Sequence, residues 1–272
     1  MEKLSSLRVE FYVKMYDKKK LDINYRRACK SNNKKVVFFL QKLFEEAIER
    51  LDIKKSKKFR ILELYARNTI LEDILKKFKF SYDIYQSIYT SKFNLNDNNA
   101  FVHDSRLSKF KDSKFDYCIS IFPLASETDI LNDLESTHRI LSDEGKFIFL
   151  FFSEDSCINL KKLFYKFSNL KIENSFLPCF EIISLGNFAN SKGFKNVVVD
   201  KSKYIISNNK VNEIWKFIRD IGQSNYLLNR NRKNIKRSGY NSLCKSLESL
   251  LYRNGKILNE ISITFLIGTK KN

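Results

Sequence analysis

The chain has 272 residues, 43% of them apolar, and a formal net charge of +19. This length and apolar content predict a globular protein with one large α/β domain or two small ones. The longest apolar clusters, at 36–40 and 147–152, are too short to cross a bilayer, and the first residues show no apolar export signal. We therefore expect a cytoplasmic protein without a transmembrane segment.

The cysteines and histidines indicate neither a disulfide framework nor a metal site. The five cysteines are widely spaced, form no CxxC pair and are odd in number, so we expect buried reduced thiols. Neither His103 nor His138 belongs to a cluster of His, Cys and carboxylate residues in the sequence. No metal ligands are therefore predicted.

The positive charge does not by itself indicate a nucleic acid partner. Lysine, asparagine, isoleucine and phenylalanine are abundant, whereas the chain has 7 glycines, 2 prolines and 1 tryptophan. An AT-rich genome would produce this joint bias through codon usage. The lysines are also spread along the chain rather than gathered with aromatic residues in one patch. We expect a solvated basic surface, and nucleic acid binding is the disfavoured alternative.

Helices and strands alternate through the first half of the chain. Apolar residues at three-and-four spacing predict an amphipathic helix over 35–53. The compact apolar run at 59–65, FRILELY, predicts a strand that is buried on both faces. The elements predicted next are a helix at 69–78, a strand around 82–86, and strands at 100–104 and 115–122.

The second half continues the alternation. A helix at 127–141 is followed by a turn that ends at Gly145 and by a strong strand at 146–152. The region 156–185 is predicted to be mainly helical, with a loop at Pro178. The remaining predictions are a helix ending near Gly193, a strand at 195–207, helices at 210–221 and 240–253, and a final strand at 261–269. Alternating strands and helices predict a parallel, doubly wound sheet.

Two segments resemble class I S-adenosylmethionine (SAM)-dependent methyltransferases. Residues 115–152 resemble the strand, helix, L-x-x-x-G turn and strand of the second half of these enzymes. Residues 190–233 resemble a branch that contains the methyltransferase-like assembly factors of respiratory complex I and, more distantly, the malonyl-carrier-protein methyltransferases of biotin synthesis. The shared feature is GQSNYLLNR at 222–230, with Ser-Asn after an acidic or amide residue and an arginine five residues after the asparagine.

The resemblance extends over about residues 10–270 and implies a fold and a cofactor. The fold would be a Rossmann-like, mostly parallel sheet whose last strand is antiparallel, and the cofactor would be SAM. We expect an N-terminal helical segment at 1–55, a methyltransferase core at 56–207, and a helical cap with the final strand at 208–272. Together these parts would form one compact domain.

The family's glycine-rich corner is altered in this chain. In the family, the first strand ends in an acidic residue followed by LGCGxG. Here Glu63 keeps the carboxylate, but Tyr65, Arg67 and Thr69 stand at the glycine positions. Glycines allow a positive φ and a close backbone approach to the cofactor. Either Tyr65 and Arg67 turn outward and leave a weakened cofactor site, or the site is closed and the fold serves as a scaffold.

The resemblance also assigns the other cofactor contacts. Where the family has an acidic residue for the ribose hydroxyls, at the end of the second strand, this chain has Gln86 or Ser87. Asp104 matches the aspartate that meets the adenine amino group; the alternative is a helix cap or a solvated carboxylate. Ser120 and Ile121 end the fourth strand, at the carboxyl edge where such folds bind ligands. Their alternative role is core and turn.

The candidate catalytic residues lie in the C-terminal cap. Asn225 and Arg230, together with Tyr226, would hold an acidic or planar substrate group over the crevice through a guanidinium fork. Alternatively, the arginine and asparagine tie the lid to the sheet. His138 is expected to be a partly buried surface histidine rather than a base.

Several functions remain open on the sequence alone. The first is a SAM-dependent methyltransferase acting on a protein or carrier-bound acyl substrate. A relative in the resembled branch instead hydroxylates an arginine of a complex I subunit. The second class is a non-catalytic assembly or interaction factor, and RNA modification is a third. The sequence does not predict the oligomeric state.

Overall fold

The structure is a computed structural model that describes residues 16–90, 99–123, 127–168, 175–177, 179, 182–230, 232 and 235–271. The helices within these residues are α1 (Lys18–Cys29), α2 (Lys34–Leu51), α3 (Ile70–Lys77), α4 (Glu127–Ile140), α5 (Ile158–Ser168), α6 (Ile182–Ser191), α7 (Val211–Asp220) and α8 (Arg237–Leu251). The strands are β1 (Phe59–Leu64), β2 (Tyr82–Ile88), β3 (Ala100–Val102), β4 (Phe115–Ile121), β5 (Leu141–Phe152), β6 (Phe194–Asn208), β7 (Tyr252–Arg253) and β8 (Lys256–Lys270).

Short polar side chains start the first two helices. The Asp17 carboxylate accepts a hydrogen bond from the Lys20 backbone N–H at 3.0 Å and caps α1. The Asn33 side chain accepts from the Lys35 N–H at 3.1 Å and caps α2 in the same way. The first turn of α3 is acidic and its last turn is basic, an arrangement that stabilises the helix dipole.

One sheet organises the fold. Its strand order is β3-β2-β1-β4-β5-β8-β6, and β7 forms a hairpin with β8. Strands β1 to β5 pair in parallel, whereas β8 is antiparallel to both β5 and β6. The predicted Rossmann-like sheet with an antiparallel last strand is therefore confirmed.

Helices cover both faces of the sheet. On one face, Leu43 of α2 and Leu75 of α3 pack with strand residues such as Ile61. On the other face, Leu134 of α4 packs with residues such as Phe149. Strands buried on both sides read as nearly continuous apolar runs, which is why the sequence predicts them well. Within the described residues, every helix is too short or too polar to cross a lipid bilayer.

The starts of two strands differ most from the predictions. The predicted turn before 146 lies inside β5, because Leu141 already pairs with Phe115 and a register shift absorbs the extra residues. Gly145 is required in this bulge, since a Cβ there would lie 2.7 Å from the Ser142 carbonyl oxygen. The final strand begins at Lys256, before the predicted 261, because it pairs with β7 at Lys256 and with β6 from Ile257 onward. The loop predicted at Pro178 lies outside the described residues.

The strand order reverses between β1 and β4. Successive strands run outward from β1 through β2 to β3, and the chain then returns to place β4 on the other side of β1. The carboxyl ends of β1 and β4 therefore border a crevice at a topological switch point, where open α/β sheets bind ligands.

Candidate functional site

The corner after β1, residues 65–69, has the backbone shape that a glycine would favour. Tyr65 adopts a φ of 57°, in the left-handed region. This conformation costs a residue with a Cβ roughly 1–2 kcal/mol. The Tyr65 side chain is nevertheless 3% exposed, and Arg67 is 5% exposed. The alternative in which both side chains turn outward is therefore wrong, because both point into the protein.

Tyr65 belongs to a buried hydrogen-bond network. Its hydroxyl donates to Asp133 Oδ2 at 2.7 Å, and its backbone N–H donates to Ser87 Oγ at 3.0 Å. His103 bridges the same two partners, with Nε2 3.0 Å from Asp133 Oδ1 and Nδ1 3.1 Å from Ser87 Oγ. The Tyr65 and His103 ring centroids are 4.1 Å apart. Donation from His103 Nε2 to Asp133 and acceptance by Nδ1 from Ser87 would satisfy every bond in this network.

The network joins the ends of three strands to α4. Burial raises the pKa of Asp133, while its bonds to His103 and Tyr65 act in the opposite direction. Burial also raises the pKa of Tyr65, so its hydroxyl stays protonated. The sequence interpretation did not identify Asp133 as a partner of His103. The two residues are distant in the chain, and only the closure of the sheet brings them together.

Arg67 spans the switch-point crevice. Its guanidinium donates to the Phe122 carbonyl oxygen just after β4, and to the Ile221 carbonyl oxygen after α7 at 3.1 Å. Among the described residues, Arg67 pairs with no carboxylate, and its Nε has no hydrogen-bond partner. Burial lowers the pKa of Arg67. The cation is thus held by neutral carbonyl groups across the crevice.

Glu63 and Gln86 lie side by side at the ends of β1 and β2. They are directly opposite each other in the sheet register, and Gln86 Nε2 donates to Glu63 Oε2 at 2.7 Å. Burial raises the pKa of Glu63 to about 7, although the Gln86 bond and the Arg67 charge oppose the shift. Gln86 Oε1 is buried without a partner in the described residues. The two predicted cofactor residues therefore lie together, and one hydrogen bond joins their side chains.

A tyrosine cluster covers the corner from the N-terminal side. We call it the tyrosine cover; its members are Tyr16, Tyr25, Tyr89 and Tyr226. The Tyr25 hydroxyl donates to the Ala66 carbonyl oxygen. The Tyr25 and Tyr89 rings are 5.7 Å apart, and those of Tyr16 and Tyr226 are 5.4 Å apart. The cover buries the corner that the resemblance assigns to the cofactor.

The remaining predicted cofactor residues have structural partners or lie in the core. Asp104 is exposed and accepts from the N–H groups of Arg106 and Ser108, and from the Ser108 hydroxyl at 2.5 Å. The Ser108 hydrogen bond lowers the pKa of Asp104. Asp104 is thus an exposed carboxylate that caps a turn, and it does not cap a helix, because residues 105–114 contain none. Ser120 is fully buried, with no partner for its hydroxyl in the described part of the chain, and Ile121 packs in the core.

Of the predicted catalytic residues, Arg230 binds the N-terminal segment and Asn225 accepts a hydrogen bond within its own turn. Arg230 pairs with Asp17 at 2.8 Å and also donates to the Leu227 carbonyl oxygen. Asn225 Oδ1 accepts from the Leu227 N–H at 3.0 Å. The arginine therefore ties the cap to the start of α1, not to the sheet as the structural alternative proposed. His138 is half-buried against Phe194, as predicted, and burial lowers its pKa.

An apolar cavity of about 100 Å³ lies on the other side of β4. Its wall includes residues from the ends of β4 and β5, the start of α5, α7 and the segment after α7. We call it the β5 cavity; the residues used below are Phe122, Phe151, Leu160, Lys161, Ile218 and Gln223. Phe122 borders both the cavity and Arg67, so the two halves of the carboxyl edge adjoin.

SAM does not fit the crevice in the conformation described. The backbone at Tyr65 has the left-handed conformation that a glycine-rich cofactor corner would have. The Arg67 side chain, however, lies between the ends of β1 and β4. The tyrosine cover closes the same corner. Entry of SAM would require Arg67 to release the two carbonyl groups.

Comparisons with known proteins identify the fold. No family model matches the chain, and no curated protein matches its sequence. The YcgJ protein of Bacillus subtilis superposes with a TM-score of 0.53 at 12% identity, covering 84% of this chain and 98% of that one. A candidate methyltransferase of Bacillus halodurans gives a TM-score of 0.52 at 10% identity, covering 84% and 99%.

A SAM-dependent methyltransferase of Archaeoglobus fulgidus is also similar, with a TM-score of 0.48 at 13% identity over 85% of this chain and 94% of that one. At these identities the likeness concerns the fold. The chain shares the Rossmann-like fold of the two Bacillus proteins.

Proposed function

We propose that this chain is a SAM-dependent methyltransferase-like protein that acts on a protein or carrier-bound substrate. The observation that carries the proposal is the sheet order, which places Glu63 and the left-handed Tyr65 corner at the switch point where the fold binds ligands. When bound, SAM supplies a methyl group on a positively charged sulfur. The resemblance of residues 190–233 to complex I assembly factors supports a macromolecular substrate.

Arg67 controls access to this site in the proposal. Its side chain must leave the Phe122 and Ile221 carbonyl groups before a ligand can enter. Breaking hydrogen bonds from a charged donor costs roughly 1.5–3 kcal/mol each. This cost is subtracted from the binding free energy, so the wild-type protein binds SAM weakly and removal of the side chain strengthens binding.

Calorimetric titration with SAM and S-adenosylhomocysteine tests the proposal. We expect Arg67→Ala to bind SAM about tenfold or more tightly than the wild type, since ~1.4 kcal/mol is tenfold in affinity. Arg60→Ala is the matched control, because Arg60 lies on β1, the strand that leads to the corner, and is exposed beside Asp116; this variant should bind SAM as the wild type does. Transfer of radioactive methyl groups to protease-sensitive material would then identify the substrate as protein.

A non-catalytic interaction protein is the second candidate, and one observation favours it. The Arg67 bridge and the tyrosine cover fill the cofactor corner with the chain's own side chains. If neither the wild type nor Arg67→Ala binds SAM at millimolar concentration, the enzyme proposal is excluded and this candidate takes its place.

A further inference from the structure

The β5 cavity has an apolar wall with few polar groups. Aromatic and aliphatic side chains form most of it, including Phe122, Phe151, Leu160 and Ile218. A dry cavity of 150 Å³ with such a lining binds benzene or xenon. By this comparison, a cavity of about 100 Å³ suits a group of about four carbon atoms.

Ser156 and Lys161 of the wall are already hydrogen-bonded, whereas one buried donor of the wall is not. Ser156 Oγ accepts from the Ser262 N–H at 3.0 Å and donates to the Ser262 carbonyl oxygen. Lys161 Nζ donates to the Glu154 carbonyl oxygen at 2.9 Å. Gln223 Nε2 is buried and has no hydrogen-bond partner in the described residues. A buried donor without a partner costs roughly 1–3 kcal/mol, so it marks a place for an acceptor.

The two thiols of the wall give the cavity no nucleophile. Burial raises the pKa of both Cys157 and Cys179, and the thiolate is the reactive form. Asn259 Nδ2 also donates to the Cys157 sulfur at 3.2 Å. These cysteines would therefore not react with a ligand placed in the cavity.

A surface groove leads to the cavity. It runs between α5, α7 and α8, and it shares Phe176, Leu177, Ile218 and Gln223 with the cavity wall. Gln223 thus stands where the cavity meets the groove. A larger molecule can lie in the groove and place only its apolar end in the cavity, with an acceptor atom beside Gln223.

We propose that the β5 cavity binds a small apolar group of about four carbon atoms that carries a carbonyl oxygen, which accepts a hydrogen bond from Gln223 Nε2. The ligand's role as a methyl acceptor rests on the proposed function, whereas its binding does not require SAM. The cavity adjoins the Arg67 crevice through Phe122, so a ligand bound there would lie next to the proposed SAM site.

Two small probes test the proposal on the full chain. Xenon detects the apolar cavity, and 2-pentanone detects the cavity together with the donor; both are followed by NMR. We expect the wild type to bind both probes at millimolar concentration. Gln223→Met should keep xenon binding and weaken 2-pentanone binding by about fivefold, the effect of one hydrogen bond. Leu160→Phe should abolish binding of both, because the ring fills the cavity.

The controls separate the possible failures. Leu163→Phe changes the same helix outside the cavity wall and should leave both probes bound. Ile218→Phe fills the cavity from α7 and replaces Leu160→Phe if that variant does not fold. Absence of xenon binding to the wild type, or equal 2-pentanone binding by the wild type and Gln223→Met, would overturn the proposal. If the probes bind but SAM does not, the proposed ligand site in the β5 cavity stands and the proposed SAM-dependent function is rejected.

Discussion

At the carboxyl edge of the sheet, the regions on the two sides of β4 differ in how completely side chains fill them. At the β1 corner, Tyr65 and Arg67 stand where the resembled family has glycines, and both are buried with hydrogen-bonded side chains. Across β4, the β5 cavity remains open at about 100 Å³. Large side chains have thus closed the half that the fold uses for a cofactor, while the half beside β5 keeps room for a ligand.

Tyr65 gives the largest expected effect at the closed half. Tyr65→Ala removes a buried aromatic ring and the hydroxyl that Asp133 accepts, so we expect a loss of about 3–5 kcal/mol in the free energy of unfolding. Tyr65→Gly creates the same void but relieves the left-handed strain at φ 57°. Glycine should therefore be more stable than alanine here by roughly 1 kcal/mol, as measured by urea denaturation.

The order of these two variants is the critical result. Glycine is ordinarily the more destabilising residue, because it loses more backbone freedom on folding. If Tyr65→Ala is the more stable variant, the corner does not hold the glycine-like conformation. The comparison with the glycine-rich corner of the resembled family would then fail.

Glu63 gives the next effect, through pH. Its pKa rises from the ordinary 4.5 to about 7 because burial disfavours the carboxylate. The folded state therefore holds a proton that the unfolded state has lost, and stability from this group is lost as pH rises from 4.5 to 7. The loss is up to about 3 kcal/mol. We expect Glu63→Gln to gain stability relative to the wild type over this range, measured by denaturation at several pH values.

An exposed carboxylate supplies the control for this pH effect. Glu135 lies on α4 with a largely exposed side chain, so Glu135→Gln should change the free energy of unfolding by no more than about 0.5 kcal/mol. A constant difference between Glu63→Gln and the wild type from pH 4.5 to 7 would show that Glu63 ionises normally. The corner would then be open to water, and the contrast with the β5 cavity would disappear.

The sequence predicts the sheet better than it predicts the conformation of the β1 corner. Apolar runs such as 59–65 identify the strands because burial on both faces selects apolar residues at every position. The sequence shows that glycine is absent at 65 and 67. It does not show where these two side chains point, because that depends on hydrogen-bond partners far away in the chain. Asp133 and Ile221 hold Tyr65 and Arg67, and neither is close to the corner in the chain.

The open half escaped the sequence interpretation for a related reason. A cavity is space left between elements, so no residue pattern marks it. Gln223 was part of the GQSN motif that carried the resemblance. The structure shows that Gln223 Nε2 has no hydrogen-bond partner among the described residues, and this depends on how the segment after α7 packs beside β5. Regular elements follow from local patterns, whereas side-chain direction and empty volume follow from tertiary packing.

The smallest expected effect compares the two halves directly. Ala66→Leu at the corner and Leu160→Phe in the cavity enlarge a side chain by the same number of carbon atoms. Ala66 is 1% exposed, beneath Tyr25, so its enlargement should destabilise the protein by about 1–3 kcal/mol through overpacking. The added atoms of Leu160→Phe enter existing space, so we expect a change of less than about 1 kcal/mol. Equal losses in urea denaturation would mean that the cavity is as tightly packed as the corner.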